Sequence, residues 1–133
     1  AKVTAVELYD GAMKYLEQNN AAFGGCVSAV QGDALAPFGE FDCVVSNPPY
    51  VAAKEMPTLQ REVLAEPETA LLGGEDGLDF YRTLLGSYRA NIKPGGFLVC
   101  EIGFDQGQRL RDLCGCGIKK DYSGNDRVMI LRC

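Results

Sequence analysis

The stretch that decides the fold is Phe41-Asp42-Cys43-Val44-Val45-Ser46-Asn47-Pro48-Pro49-Tyr50. Its first six residues form a near-continuous apolar run, which is typical of a parallel strand covered on both faces. The run ends at Asn47, where Pro48 fixes its own φ and Pro49 disfavours helical geometry at Pro48. The sequence therefore predicts a buried strand over residues 41–46 that leads into a rigid, extended segment, residues 47–50, called here the Asn47–Tyr50 corner.

The corner carries groups suited to binding a planar nitrogen. The Asn47 amide offers one acceptor and two N–H donors, and no strand neighbour needs the Pro48 carbonyl, which can accept a second N–H. Tyr50 adds a flat ring that can stack on a planar group or lie near a cation. Asn47, Pro48 and Tyr50 are the candidate catalytic residues, and with Pro49 they form the candidate substrate site. The alternative is a rigid exit from a strand with no chemical role.

Strand patterns recur on both sides of the corner. Residues 2–8 predict a buried strand and residues 27–31 a second one. A further strand is predicted over residues 97–103, and two closing strands, 118–122 and 127–132, flank a turn at residues 123–126.

Three helices are predicted between these strands. The first is capped by Asp10 and frays near residues 19–25, and the second is capped by Asp76 and stopped by residues 93–96. The third covers residues 106–114, with Leu110 and Leu113 facing inward. The apolar stripe of the second helix consists of Leu78, Tyr81, Leu85, Tyr88 and Ile92. This order predicts an α/β fold with a Rossmann-like, mainly parallel sheet and an antiparallel carboxyl-terminal strand. The connection over residues 51–77 is long enough to indicate a functional loop.

Polar residues follow three of the predicted strands, at the edge where ligands bind in parallel sheets: Glu7, Asp33 and Asn47. A carboxylate in the place of Glu7 can accept both hydroxyls of a ribose. The alternative is a solvated strand-end charge. Asp33, followed by Ala34, can accept from the exocyclic amine of an adenine, and the alternative is an ordinary Asx turn. The candidate cofactor-binding residues are therefore Glu7, Asp33, Ala34 and Asn47.

Composition excludes several classes of function. The 133 residues are 47% hydrophobic and 23% charged, which suits one globular domain. The net charge of −5 argues against direct nucleic-acid binding and against an anionic membrane surface. No apolar run approaches the roughly 20 residues that a membrane span needs. The absence of histidine excludes a histidine general base and imidazole metal ligands.

The six cysteines predict neither a disulfide framework nor a metal site. Cys43 and Cys100 lie inside apolar runs and are expected to be small buried hydrophobic residues. Cys114 and Cys116 have no second cysteine pair or histidine at ligand spacing. No secretory signal precedes the first strand, so a reducing, cytoplasmic location is expected.

Further motifs resemble one enzyme family. Together with the corner they resemble the class I S-adenosylmethionine-dependent methyltransferases, and among these the HemK-type protein-(glutamine-N5) methyltransferases, over nearly the whole chain. The motifs are Glu62-Val63-Leu64-Ala65-Glu66-Pro67-Glu68-Thr69-Ala70-Leu71, Gly73-Gly74-Glu75-Asp76-Gly77-Leu78-Asp79-Phe80-Tyr81, Glu101-Ile102-Gly103 and Gln106.

The resemblance implies S-adenosylmethionine as methyl donor. It also implies a protein partner, a peptide chain release factor, whose Gly-Gly-Gln loop carries the methylated glutamine. In this family pattern Glu7 holds the ribose and Asp33 the adenine, while Asn47 and the Pro48 carbonyl hold the glutamine amide and Tyr50 packs beside it.

The chain departs from the family at its beginning. The family's first strand, its Gly-rich loop and its amino-terminal helical domain have no counterpart in residues 1–133, which match a partial methyltransferase domain from the second strand onward. The missing strand would lie between the strands that end at Glu7 and Asn47. We therefore expect weak binding of the methyl donor, and either a rearranged sheet or a homo-oligomer formed through exposed sheet edges.

Two other functions remain open from the sequence. Adenine-N6 methyltransferases of DNA or RNA bind the target nitrogen with a similar motif, although the net negative charge of this chain argues against that function. A catalytically inactive remnant of the methyltransferase fold is the second alternative, favoured by the absent Gly-rich loop.

Overall fold

The computed structural model describes residues 1–36 and 39–133. The chain divides into two compact units, residues 1–37 and residues 38–133. The proline-containing loop predicted between the second and third strands includes Pro37 and Phe38, which lie outside the described residues.

The first unit is a strand–helix–strand unit. Strand β1 (Val3–Glu7) and strand β2 (Val27–Gln31) pair in parallel, with Glu7 opposite Gln31, and helix α1 (Asp10–Ala22) connects them. The Asn20 side chain joins the helix to β2, because its amide donates to the Val27 carbonyl at 2.7 Å and accepts from the Val27 N–H at 3.0 Å.

Two predictions for this unit are wrong. Strand β1 is not buried, and Val3 is 49% exposed, because in the described part of the chain β1 has a hydrogen-bonded neighbour on one side only. Asp10 does not cap α1, since Tyr9 occupies the N-cap and Asp10 is the first helical residue. Its carboxylate accepts instead from the Gln31 side-chain amide, and its charge lies where the helix dipole favours an anion.

The second unit contains a four-stranded mixed sheet. Its strands are β3 (Phe41–Ser46), β4 (Ile92–Glu101), β5 (Gly117–Lys120) and β6 (Asp126–Arg132), in the spatial order β3-β4-β6-β5. Strands β3 and β4 are parallel, whereas β6 is antiparallel to β4 and β5. The predicted α/β fold, with parallel strands along the chain and an antiparallel closing strand, is confirmed.

Helices and short turns connect these strands. The connection after the corner contains two single-turn 3-10 helices, Met56–Thr58 and Val63–Ala65, and helix α2 (Glu68–Leu71). Helices α3 (Asp79–Tyr88) and α4 (Gly107–Cys114) follow. Among the described residues, the largest fully buried side chains are those of Tyr81, Leu98, Cys100, Ile102, Leu110 and Met129.

The predicted ends of the second helix are wrong. Helix α3 begins at Asp79 with Leu78 as N-cap, while Asp76 accepts from the Leu78 N–H at 3.1 Å without capping the helix. Ile92 and residues 93–96 belong to β4. The strand starts this early because Ile92 pairs with Phe41 of β3, a partner that the local sequence does not reveal.

Burial of β3 also differs from the prediction. Cys100 is buried as expected, but Cys43 is exposed, and Val45 is 76% exposed. Strand β3 lies at an edge of the four-stranded sheet, so the second unit leaves part of its apolar run uncovered.

Helix α4 provides a matched test of the core. Leu110 is fully buried, whereas Leu113, which was predicted to face inward, is 43% exposed. The residue that follows Leu110 on the inward face is Cys114, four positions later, which is partly buried. We expect Leu110→Ala to lower the free energy of unfolding by about 2–5 kcal/mol. Leu113→Ala is expected to change it by less than about 1 kcal/mol. Chemical denaturation of the chain measures both, and equal losses would contradict this packing.

Candidate active site

The Asn47–Tyr50 corner begins directly after β3. Asn47 is exposed, Pro48 is buried, and Pro49 and Tyr50 are half-buried. Within the described residues, neither the Asn47 side chain nor the Pro48 carbonyl oxygen takes part in a hydrogen bond. Two oxygen acceptors one residue apart are therefore available to a guest molecule.

The Tyr50 side chain is held at its hydroxyl group. The Tyr50 hydroxyl donates to Glu101 Oε1 at 3.1 Å, and the Tyr81 hydroxyl donates to the Glu101 backbone oxygen at 2.7 Å. Burial, and then the negative charge of Glu101, raises the pKa of Tyr50. The phenol therefore remains neutral near pH 7 and is already bonded, which leaves the ring itself for contact with a substrate.

The backbone of the loop at residues 71–77 lies against the corner. Beyond Tyr50, the Val51 N–H donates to the Leu71 carbonyl at 2.9 Å, and the Gly73 N–H donates to the Val51 carbonyl at 2.8 Å. A Cβ on Gly73 would lie 2.8 Å from both the Pro49 oxygen and the Tyr50 Cα. The long connection that the sequence predicted as a functional loop thus packs directly on the corner.

Gln106 also contacts the corner and this loop, a contact that the sequence did not predict. Its side-chain amide donates to the Tyr50 carbonyl at 2.9 Å and to the Gly77 carbonyl at 3.0 Å. In the sequence, Gln106 is notable only as part of the family motifs, and no role was predicted for it.

The candidate cofactor residues of the first unit lie at neighbouring strand ends. The Gly32 N–H donates to the Glu7 carbonyl at 2.9 Å, which holds the ends of β1 and β2 together. Glu7 Oε1 accepts from the Tyr9 N–H at 2.9 Å. Asp33 Oδ1 accepts from the Leu35 N–H at 2.8 Å, so the Asx turn is present. The second oxygen of each carboxylate has no hydrogen-bond partner in the described part of the chain.

A cavity of about 590 Å³ opens in the second unit. None of the four corner residues lines it. Asp76 at its wall pairs with Arg82 at 2.7 Å and with Arg109 at 2.5 Å. The hydrogen bond from Arg82, reinforced by Arg109, holds the pKa of Asp76 well below its usual range. The lining residues are Ala52, Ala53, Lys54, Glu55, Glu75, Asp76, Asp105, Gln106 and Arg109.

The structure therefore groups the predicted site residues by unit. Asn47, Pro48, Pro49 and Tyr50 form the corner in the second unit, while Glu7, Asp33 and Ala34 lie at one edge of the first. In residues 1–36 and 39–133, no three histidine, cysteine, aspartate or glutamate side chains form a group that could hold a metal ion. Over the same ranges, every helix is too short or too polar to cross a membrane.

Comparison with solved structures defines the fold. The chain resembles a methyltransferase from Pyrococcus furiosus, with a TM-score of 0.65 and 22% identity over 98% of this chain and 61% of that one. It also resembles TrmN from Thermus thermophilus, with a TM-score of 0.64 and 18% identity over 98% of this chain and 36% of that one. The fold is that of the class I methyltransferases.

Sequence comparison is more specific. A release factor glutamine methyltransferase of Moorella thermoacetica is 38% identical over 98% of the chain and 50% of its own length, and one of Geobacter sulfurreducens is 37% identical over 97% and 49%. A ribosomal protein uL3 glutamine methyltransferase of Bradyrhizobium diazoefficiens is 40% identical over 84% and 36%. No family model matches the chain. The chain belongs to the family of the release factor glutamine methyltransferases and spans about half the length of these relatives.

Proposed function

We propose that the chain is the carboxyl-terminal part of an S-adenosylmethionine-dependent methyltransferase that methylates a glutamine side chain in a peptide chain release factor. The observation that carries the proposal is the corner, where the exposed Asn47 amide and the Pro48 carbonyl make no hydrogen bonds with the described residues. Relatives named for glutamine methylation support the nature of the substrate group. A cytoplasmic location, where release factors act, is part of the proposal.

The two N–H groups of a glutamine amide match the two acceptors of the corner. In the proposed complex, Asn47 Oδ1 accepts one N–H and the Pro48 carbonyl accepts the other. Because Pro48 and Pro49 have fixed φ angles, the backbone that carries both acceptors is restrained before the amide binds. The half-buried ring of Tyr50 lies next in the chain and provides an apolar wall for the amide plane.

The proposed reaction is a direct in-line displacement by the amide nitrogen. This nitrogen is a poor nucleophile because its lone pair is delocalised, so its position must be held closely. The hydrogen bonds to Asn47 and Pro48 fix the nitrogen and favour the positive charge that develops on it; positioning and preorganised dipoles each supply several kcal/mol in such steps. The methylated nitrogen then loses a proton to solvent, so no general base is needed, which agrees with a chain that lacks histidine.

The first unit offers groups that fit part of S-adenosylmethionine, which supplies an electrophilic methyl group when bound. Each of the Glu7 and Asp33 carboxylates keeps one oxygen that makes no hydrogen bond within the described residues, and Ala34 next to Asp33 is exposed. In the proposal Glu7 accepts from the ribose hydroxyls and Asp33 from the adenine amine.

We expect the 133-residue chain alone to bind S-adenosylmethionine weakly, with a dissociation constant well above the micromolar range. The reason is that no Gly-rich turn is available in this sequence to approach the methionine part of the donor. Calorimetric titration of the chain, with the parent enzyme as control, measures this. Micromolar affinity for the chain alone would contradict the proposed partial domain.

The proposed partial domain also leads to a prediction about the exposed sheet edges. Within residues 1–36 and 39–133, strand β1 pairs with β2 alone and β3 has a partner on one side only, so both carry unpaired backbone groups. We expect the chain to associate with further copies through these edges, with an average mass in sedimentation that rises with concentration. A monomer at every concentration would contradict this expectation.

The test of function is methyl transfer by the parent enzyme from labelled donor. We expect label on the release factor, located by mass spectrometry on the side-chain amide of the Gly-Gly-Gln glutamine, and none on a variant with alanine at that position. The relative named for ribosomal protein uL3 makes that protein the second substrate to assay. Transfer to adenine in DNA or RNA would support the nucleic-acid alternative, and transfer to none of these substrates would support an inactive remnant.

A further inference from the structure

We infer that Gln106 is a positioning residue of this site, whose buried carboxamide fixes the shape of the Asn47–Tyr50 corner through the Tyr50 carbonyl. The inference rests on the proposed function for the reaction that the corner serves. Gln106 is 3% exposed, and in the described ranges it is the only buried residue with an amide or charged side chain. A group of this kind is costly to bury unless each of its polar atoms is bonded.

Every polar atom of the Gln106 side chain has a partner. Oε1 accepts from the Gly103 N–H at 2.9 Å, and Nε2 donates to the carbonyls of Tyr50 at 2.9 Å and Gly77 at 3.0 Å. The Tyr50 and Gly77 carbonyls can accept only from the NH₂ group of Gln106, and the Gly103 N–H can donate only to its oxygen. These partners therefore fix the orientation of the amide. One side chain thus joins the corner, the loop before α3 and the loop after β4.

The contact reaches the proposed acceptors through a stiff stretch of backbone. Tyr50 is bonded at both ends, at its carbonyl by Gln106 and at its hydroxyl by Glu101. Between the Pro48 and Tyr50 carbonyls, the φ angle of Pro49 does not rotate freely, and both intervening peptide bonds are planar. Fixing the Tyr50 carbonyl therefore restricts the direction of the Pro48 oxygen.

Gly77 shows how closely this contact is packed. Its φ is +79°, and a Cβ there would lie 2.5 Å from the Tyr50 oxygen and 2.7 Å from Gln106 Nε2. Glycine thus leaves room for both carbonyls to meet one amide. Asparagine in place of Gln106 would be one methylene too short to reach these carbonyls, and glutamate would turn an oxygen toward them.

The test compares Gln106→Met with Gln108→Met in the parent enzyme. Methionine keeps the length of the side chain but removes all three hydrogen bonds. Gln108 is an exposed residue of α4, the helix whose N-cap is Gln106, and among the described residues its side chain bonds only to Asp112, which makes it the matched control. We expect Gln106→Met to lower kcat by about 10- to 100-fold, the scale of a small misplacement at the reacting atoms, with KM for the release factor nearly unchanged. Gln108→Met should match the wild type.

The Gln106→Glu variant adds a second measurement, the pH dependence of kcat, which a purely structural role of Gln106 would not change. Burial raises the pKa of a carboxyl group in this place, and only its protonated form has an O–H to donate to a carbonyl. Relative to wild type, kcat of Gln106→Glu should therefore rise as the pH falls. A ratio to wild type that does not vary with pH would overturn the inference, and so would a wild-type kcat per folded molecule for Gln106→Met.

Hydrogen exchange separates this inference from the proposed function. We expect the amides of residues 50–55 to exchange faster in Gln106→Met than in wild type and Gln108→Met. Unchanged exchange would overturn the inference whatever the activity. A wild-type enzyme that methylates no glutamine contradicts the proposed function, and the exchange comparison then decides the inference alone. If circular dichroism shows that Gln106→Met is unfolded, the pH profile of Gln106→Glu decides it.

Discussion

Replacing Asn47 by alanine is expected to lower the rate of glutamine methylation by about 10²- to 10³-fold, the usual cost of losing one preorganised hydrogen-bonding group at a reacting centre. The alanine variant removes one of two acceptors for the amide N–H groups and leaves the Pro48 carbonyl alone. Because Asn47 is exposed and makes no hydrogen bond with the described residues, the stability of the fold should hardly change. Initial rates of labelled methyl transfer by the parent enzyme measure the effect.

Two further variants sharpen this prediction. Asn47→Asp keeps an oxygen acceptor, so it should retain more activity than Asn47→Ala. Asn19→Ala changes an exposed asparagine of α1 and should match the wild type. If Asn47→Ala kept wild-type rates, the corner would not bind the amide. If the aspartate and alanine variants lost activity equally, an acceptor role for Asn47 would be contradicted.

Replacing Gly73 by alanine is expected to lower the free energy of unfolding by about 1–3 kcal/mol, the usual cost of an inserted methyl group without space. The added Cβ would lie 2.8 Å from the Pro49 oxygen and from the Tyr50 Cα, and 3.0 Å from the Gly77 oxygen, all of them backbone atoms that cannot rotate away. Because the strain falls on the corner, activity of the parent enzyme should decrease as well. Chemical denaturation of the chain and initial rates of the parent enzyme measure these two effects.

Gly86→Ala is the matched control for this substitution. Gly86 lies in α3, and a Cβ there would meet no atom within 4 Å. Alanine in a helix is more favourable than glycine by about 0.5–1 kcal/mol, so this variant should be slightly more stable than wild type and fully active. A Gly73→Ala variant as stable as Gly86→Ala would show that the loop at residues 71–77 does not press on the corner.

The sequence predicted those parts of the fold that depend on short-range patterns. Strands β2 and β3 have the predicted bounds, because turn or proline residues limit each apolar run. Whether a strand lies inside its sheet or at the edge was not predictable from short-range patterns. The apolar run of β3 indicated a strand covered on both faces, whereas the strand lies at an edge, with Cys43 and Val45 exposed. Burial depends on partners that lie far away in the chain or outside it.

The same limit applies to the site. The exposed Asn47 and the unbonded Pro48 carbonyl were predictable because two prolines dictate the local backbone. The hydrogen bond from Gln106 to Tyr50 joins residues 56 positions apart, and no periodicity or spacing indicates it. Asp76 was predicted as a cap from its local pattern, but its main partners are the guanidinium groups of Arg82 and Arg109.

The most direct test of the account is the resonance of the Asn47 side-chain amide in the isotope-labelled parent enzyme during titration with a short Gly-Gly-Gln peptide. We expect this resonance to shift with the glutamine peptide and to remain in place with a Gly-Gly-Glu peptide, whose carboxylate has no N–H to donate. Binding of the glutamine peptide without any change at Asn47 would contradict the claim that the corner holds the carboxamide.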